Sequence, residues 1–195
     1  MPRRLAALAV CLLAAAPVAA ATWNIDPAHT TVQFAVRHMM VSNVRGELGK
    51  VAGSVEGDPA DPTAAKLTVS IDASSIDTRN EKRDAHLRSP DFLDVAKYPT
   101  ITFTSKKITP AGRGAYKVTG DLTLHGVTKE IVLDVTDVTP PITDPMGSRR
   151  AGAHATTTID RGAFGITWSK SLDGGGVVVG NEVQIMVDVE ATLAK

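Results

Sequence analysis

Glu182-Val183-Gln184-Ile185-Met186-Val187-Asp188-Val189-Glu190-Ala191-Thr192-Leu193 alternates from end to end. Val183, Ile185, Val187, Val189, Ala191 and Leu193 share one face; Glu182, Gln184, Met186, Asp188, Glu190 and Thr192 share the other. A period of two is that of a strand buried on one side, whereas a helix would scatter the odd positions around its circumference. The same signature recurs upstream. Val32, Phe34, Val36 and His38 oppose Thr31, Gln33, Ala35 and Arg37; Leu67, Val69 and Ile71 alternate with Thr68, Ser70 and Asp72. Ile101, Phe103 and Ser105 repeat it, as do Tyr116 to Leu124 and Ile131, Leu133 and Val135 before the turn signal Pro140-Pro141. Gly46 to Gly57 also reads as extended, its glycines marking bulges or strong curvature.

One stretch departs from this pattern. Thr78 to Arg88 lacks alternation and is rich in helix formers, so a short helix is expected, capped by Thr78 with Glu81 completing a capping box and ending before Ser89-Pro90. Eight or more strands joined mostly by short turns imply an all-β antiparallel sandwich or a closed barrel, one domain over residues 22–195. Alternation alone does not separate the two. Inward faces that mix aromatics with Gly and Ala leave space, and a glycine-rich strand can bend as closure requires; both favour the barrel.

The chain has 195 residues with 21 Lys+Arg against 21 Asp+Glu, 43% hydrophobic and 22% charged. This composition is globular, and its balance offers no basic face for nucleic acid. Residues 1–21 read as a cleaved signal peptide: the basic start Pro2-Arg3-Arg4, the apolar run Leu5 to Ala16, Pro17, then small residues up to Ala21. The protein is therefore expected in the periplasm. Leu8-Ala9-Val10-Cys11 is similar to a lipoprotein cleavage box, but it sits inside the apolar run and is read as part of the leader. Cleavage removes Cys11 with two arginines, leaving a thiol-free chain with 19 basic residues. No run in residues 22–195 is long enough to span a bilayer as a helix.

Catalytic signatures are sparse. Histidines at 29, 38, 86, 125 and 154 show no metal-ligand spacing, and no Gly-x-Ser-x-Gly elbow occurs. Gly174-Gly175-Gly176 lacks the residues of a phosphate loop and reads as a hairpin tip. No cofactor or metal is expected, and the chain is read as a non-enzyme. The polar residues singled out are His38, on the inward face of its strand, and Arg83, Asp84 and His86 on the helix. For each the alternative is structural: a buried hydrogen-bonded histidine, and an ion-paired helix face stitched to the barrel. Among Phe34, Phe103, Phe164 and Trp168, at least two are expected to be core packing.

Several blocks, in order, resemble the YceI-like family of exported lipid-binding proteins. They are Trp23-Asn24-Ile25-Asp26 with Pro27-Ala28-His29-Thr30, Val32 to His38, and Ser75-Ile76-Asp77-Thr78 with Arg83-Asp84-Ala85-His86-Leu87. Asp91-Phe92-Leu93-Asp94, Tyr98 to Phe103, Gly120-Asp121-Leu122-Thr123-Leu124-His125-Gly126-Val127-Thr128-Lys129 and Ile159 to Ile166 complete the set. The resemblance implies an antiparallel eight-stranded lipocalin-like barrel with one short helix, whose tubular cavity holds a long isoprenoid or similar amphiphile. About fifteen buried carbons at about 0.8 kcal/mol each would supply roughly 12 kcal/mol gross, much of it offset by ordering. Phe34, Val36, His38, Arg83, His86, Phe103, Phe164 and Trp168 are the candidate ligand-binding residues, with Arg83, His38 and His86 reading a polar head at the mouth. A homodimer is a further possibility. Two other readings stand beside the carrier: a packed β-sandwich interaction module with an exposed apolar patch, and a hydrolase or isomerase using His38 or Asp84.

Overall fold

The alternating C-terminal segment forms the longest strand, and the rest of the fold assembles on its two edges. In the computed structural model, residues 21–58 and 61–194 are described; the leader expected over residues 1–21 lies, apart from Ala21, outside them. The elements are β1 (Ala21–Ile25), β2 (Thr31–His38), β3 (Ser42–Leu48), β4 (Val51–Gly57), β5 (Lys66–Asp72), β6 (Ile76–Asp77) and α1 (Glu81–Arg88). They continue with β7 (Thr100–Gly112), β8 (Ala115–Leu124), β9 (Val127–Thr136), β10 (Ile142–Thr143), β11 (Arg149–Asp160) and β12 (Val179–Leu193).

One edge of β12 carries both β1, with Trp23 opposite Leu193, and β2, with Val32 opposite Val187. The two lie end to end along it. Between them the chain bulges through Asp26 to Thr30, tied down by Asp26 N donating to Glu190 O at 2.8 Å and Thr30 Oγ1 donating to the same carbonyl at 3.3 Å. The next stave repeats the arrangement, with β3 beside β2 and β4 beside β1. Its break falls after Leu48, where Lys50 takes a left-handed φ of 49°. β5 and β6 form a third broken stave. Strands β7, β8, β9 and β11 follow in sequence, and β11 pairs with β12 from Arg150↔Thr192 to Asp160↔Glu182. Eight staves in up-and-down order thus close an antiparallel barrel that leaves no long edge unpaired.

Four strands carry no alternating signature. β11 turns Ala151, Ala153 and Ala155 inward, a face too small-sided to stand out as hydrophobic, β1 is only five residues long, and β6 and β10 have two residues each. In β7 the register jumps between Ser105 and Lys107, and this bulge shifts the inward phase so that Ile101, Phe103 and Ile108 line the interior.

The helix is where expected, but its cap is not Thr78. Asn80 Oδ1 accepts from Arg83 N at 3.0 Å, and Thr78 is instead buried beneath the helix. Its backbone N–H donates to Asp84 Oδ1 at 2.9 Å and its hydroxyl donates to the same oxygen. Arg83 donates through Nε to Thr78 Oγ1 and through Nη2 to Thr78 O, both at 2.7 Å. Without an apolar stripe, α1 is fastened by these polar contacts and by Arg88, which donates to the carbonyls of Ser74 and Ile76.

Candidate functional site: an apolar cavity inside the barrel

The inward faces of the eight staves do not meet. They enclose a cavity of about 450 Å³, within the range of small-molecule sites. Its wall is almost wholly apolar: Val183, Ile185, Val187, Val189 and Ala191 from β12 face the inner rows of β5, β8 and β9. Two of its large rings are placed by glycines. A Cβ at Gly46 would stand 2.6 Å from Phe34 Cζ, and one at Gly120 would stand 2.5 Å from Phe103 Cζ. The Phe34 ring occupies the space left by its register partner Gly46; the Phe103 ring, whose own partner is Leu122, leans along the sheet to the space left by Gly120 opposite Ser105.

One end is covered. After α1, Phe92 N donates to Ser89 O at 3.0 Å and Leu93 N to Leu87 O at 3.0 Å. This turn delivers Leu87, Phe92 and Leu93 to the cavity. The short 3-10 turn Arg161–Phe164, started by Asp160 Oδ1 accepting from Gly162 N and ended by left-handed Gly165, covers the adjoining part with Phe164 and Ile166. His125 and Gly126, both at positive φ, make the two-residue turn joining β8 to β9 at this end, and Tyr98 lies over it. At the opposite end the wall runs out to Asp58, Pro62, Ala65, Val138 and Thr139.

Of the residues singled out from the sequence, Phe34, Val36 and Phe103 line the cavity. His38 ends β2, half-buried and outside the lining, although it continues the inward row. Arg83 spends its guanidinium on Thr78. His86 Nε2 bonds Asp91 Oδ2 at 2.8 Å, and its ring meets those of Phe92 and Trp168 edge-on at 5.0 and 4.8 Å. Trp168 packs on the outside of Phe92, and Phe164 is 2% exposed in the core beneath the 3-10 turn. Asp84 is the buried residue of α1 and, like His38, does not line the cavity, so neither candidate acid or base faces it.

Sequence reasoning missed the cap residues Leu87, Phe92 and Leu93 and the alanines of β11. It also missed Arg161, named only within the Ile159 to Ile166 block. Arg161 is 4% exposed and is the one cationic side chain among the described cavity-lining residues. Its Nε, Nη1 and Nη2 donate to the carbonyls of Gly180, Ile166 and Val179 at 2.8, 2.9 and 3.2 Å. Burial lowers its pKa, partly offset by the charge of Asp160. Among the described residues Trp23 Nε1 is a buried donor without a partner, on the stave end away from α1.

Outside the barrel, Arg150 binds Asp144 at 2.7 Å, Asp26 at 2.8 Å and Glu190. His29 also meets Asp26 at 2.9 Å, and this bond, followed by that of Arg150, holds the Asp26 carboxyl down to about 2. Asp26, His29 and Glu190 have metal-ligand chemistry, yet both carboxylates already face one guanidinium, and the group is an ion-pair clasp joining the β1–β2 bulge to β11 and β12.

A family model described as the YceI-like domain matches residues 23–191, which take in all eight staves apart from the outermost residues of β1 and β12. The chain belongs to the YceI-like family. Among curated relatives, a UPF0312 protein of Staphylococcus aureus strain USA300 is 37% identical over 174 residues, 89% of this chain and 98% of that protein. Burkholderia cenocepacia BcnA has a solved structure 27% identical in sequence, with a TM-score of 0.74 over 85% of this chain and 98% of BcnA. A YceI protein of Campylobacter jejuni is 32% identical, with a TM-score of 0.69 over 81% of this chain and 90% of that one. A domain from Saccharophagus degradans, described as polyisoprenoid-binding, shares the fold at a TM-score of 0.65 and 14% identity, over 88% of this chain and 98% of that domain. For this YceI-like chain the family and the interior together give a barrel with an apolar cavity. Among the described residues no helix is long and apolar enough to cross a membrane.

Proposed function

We propose that this protein is exported to the periplasm and there binds a long-chain isoprenoid lipid, such as a polyprenyl or quinone-type amphiphile, for transport, storage or sequestration, without catalysing its conversion. The observation that carries this reading is a closed barrel with about 450 Å³ of unfilled apolar interior. Export rests on the basic start and apolar run preceding the family domain. The name of the Saccharophagus domain supports the choice of isoprenoid over other chains. A non-catalytic role is supported by the placement of His38 and Asp84 away from the cavity. The cavity also disfavours the packed interaction module, which needs a filled interior.

The test is mass spectrometry of protein purified from a periplasmic extract, in native mode and after solvent extraction. A stoichiometric isoprenoid is expected, together with its loss in Phe34→Arg, which sets a charge on the cavity wall while the barrel stays folded. A clean apo mass with no uptake of added isoprenoid would sink the proposal.

A further inference from the structure

Two departures from ordinary surface chemistry coincide at one point of the molecule. The turn joining β2 to β3 is closed by Val41 N donating to His38 O at 3.0 Å, and its Met39 and Met40 take left-handed φ of 49° and 59°. Asparagine and glycine suit consecutive left-handed positions, whereas a long apolar side chain is strained there. The same turn holds its apolar groups in water: Met39, Met40 and Val41 are 45, 53 and 75% exposed. Met39 N donates to Val178 O at 2.9 Å, and Met40 lies against Gly176, whose lack of a Cβ makes room for it. This turn and the loop before β12 thus form one tip, to which Val177 adds a fourth exposed apolar side chain. Seven large hydrophobic side chains are exposed among the described residues, and four of them stand here. Strained backbone and exposed apolar groups each cost stability, and their coincidence is what a functional surface retains.

Charge and size decide the partner. From Arg37 to Arg45 the chain carries two arginines and no carboxylate. Both arginines are exposed, and neither forms an ion pair with a described residue. Arg37 Nη2 donates to Met40 O at 2.7 Å, which fixes its positive charge at the base of the tip. The facing loop adds Lys170 and Asp173, whose charges cancel. A stable protein interface takes about 20–30 residues a side, and four side chains on a protruding turn do not make one. They do fit between lipid head groups, where acyl chains take the apolar groups and anionic phosphates attract the arginines.

We propose that this tip docks the protein on an anionic bilayer, with Met39, Met40 and Val41 inserted among the head groups and Arg37 and Arg45 on the lipid phosphates. Docking stands independently of what the cavity holds. It sets the covered end of the barrel against the membrane, because the loop that carries Val177 begins at Trp168, which packs on Phe92 of the cap.

The experiment floats the mature protein, residues 22–195, with vesicles of phosphatidylcholine alone and of phosphatidylcholine with about a quarter phosphatidylglycerol. Wild-type protein is expected to bind the anionic vesicles at least about fivefold more tightly, the scale of one basic side chain at an anionic surface. That preference should fade as salt rises, since both arginines are exposed. Cys11 is the single cysteine and lies in the expected leader, so Val41→Cys gives the mature protein one thiol for an environment-sensitive fluorophore. Its emission should shift to the blue on vesicles; the same label on Met146→Cys, exposed at the opposite end, should not shift. Met39→Asn with Met40→Gly gives the turn its favoured residues. This double variant should melt no lower than wild type and yet bind vesicles at least about tenfold more weakly, the scale of one large apolar side chain returned to water. Absence of binding to either vesicle, equal shifts at both labels, or undiminished binding by the double variant overturns the proposal. A blue shift at position 41 that grows with protein concentration without vesicles assigns the tip to a second copy and overturns it too. Should the double variant melt lower, Val41→Ser decides, since it leaves both left-handed residues in place: about fivefold weaker binding upholds the proposal and unchanged binding overturns it.

Discussion

Replacing Ala155 by Phe pits the hollow interior against a packed one, because the two predict opposite signs for stability. Ala155 sits midway along β11, opposite Val135 and Val187, and lines the cavity. The substitution adds a closely packed six-carbon ring of about 100 Å³ to a cavity of about 450 Å³. Filling void restores up to about 24 cal/mol per Å³, so the ring could return about 2 kcal/mol. Strain in placing it takes back about 1 kcal/mol, the low end where free space adjoins the site. The delipidated variant should therefore be more stable by about 1 kcal/mol in urea unfolding. A ligand displaced from about four methylene positions loses about 3 kcal/mol at about 0.8 kcal/mol each. A chain able to slide toward either end recovers part of this, so binding should weaken at least about tenfold, read by native mass spectrometry of the loaded fraction. If the interior were full, the same ring would overpack it and destabilise the protein by about 1–3 kcal/mol. A variant less stable than wild type, with lipid loading unchanged, would refute the reasoning.

Three further outcomes follow from the geometry. Asp26, held down to about 2 by His29 and then Arg150, and Asp144, lowered chiefly by Arg150, stabilise the fold above their ordinary value of 3.8. That contribution is lost as pH falls from there through about 2, so urea midpoints should drop over this window; in Arg150→Gln the drop should be shallower, and parallel curves would exclude the clasp. Thr78→Val removes the buried hydroxyl that donates to Asp84 and accepts from Arg83 Nε. It should cost about 2–4 kcal/mol and raise hydrogen exchange in α1 before the barrel strands; a loss under about 0.5 kcal/mol would mean that the helix is held otherwise. Gly126→Ala places a Cβ against the Tyr98 ring at a φ of 73° and should cost at least about 1–2 kcal/mol, visible as a lower melting temperature.

What the sequence reveals depends on how strongly each stave advertises its buried face. β12 and β9 announce themselves because their inward positions are Val, Ile and Leu. β11 does not, since a strand whose inward residues are alanines has almost no hydrophobic contrast, and yet that deficiency leaves room for a ligand. The helix was legible from composition, but its cap was not: Thr78 and Asn80 are both good caps, and burial of Thr78 against Asp84 decides between them. Candidate head-group residues were chosen by alternation and clustering. Alternation fails at His38, which continues the inward row of β2 yet lies outside the cavity lining, where the pairing with β12 shifts register. Clustering fails for Arg83 and His86, which bond Thr78 and Asp91. Arg161 follows no alternating pattern, because a 3-10 turn carries it inward.

An eight-stranded barrel is normally just wide enough for its own side chains to fill. This one stays open by holding its bulk at the wall. Alanine and glycine of β11 keep one side thin, while the rings of Phe34 and Phe103 lie in the gaps left by Gly46 and Gly120. The glycines that suggest curvature in the sequence thus also give the rings somewhere to lie. The empty interior withholds packing stability, and the fold offsets this without a disulfide by continuous pairing around the ring, eleven register pairs between β11 and β12 alone. Binding a chain would restore the missing packing, so ligand occupancy and stability are linked: at a free ligand concentration a hundred times Kd, the loaded barrel gains about 2.7 kcal/mol over the empty one. Stability that rises on loading is therefore the direct reflection of a wall that leaves its own interior unfilled.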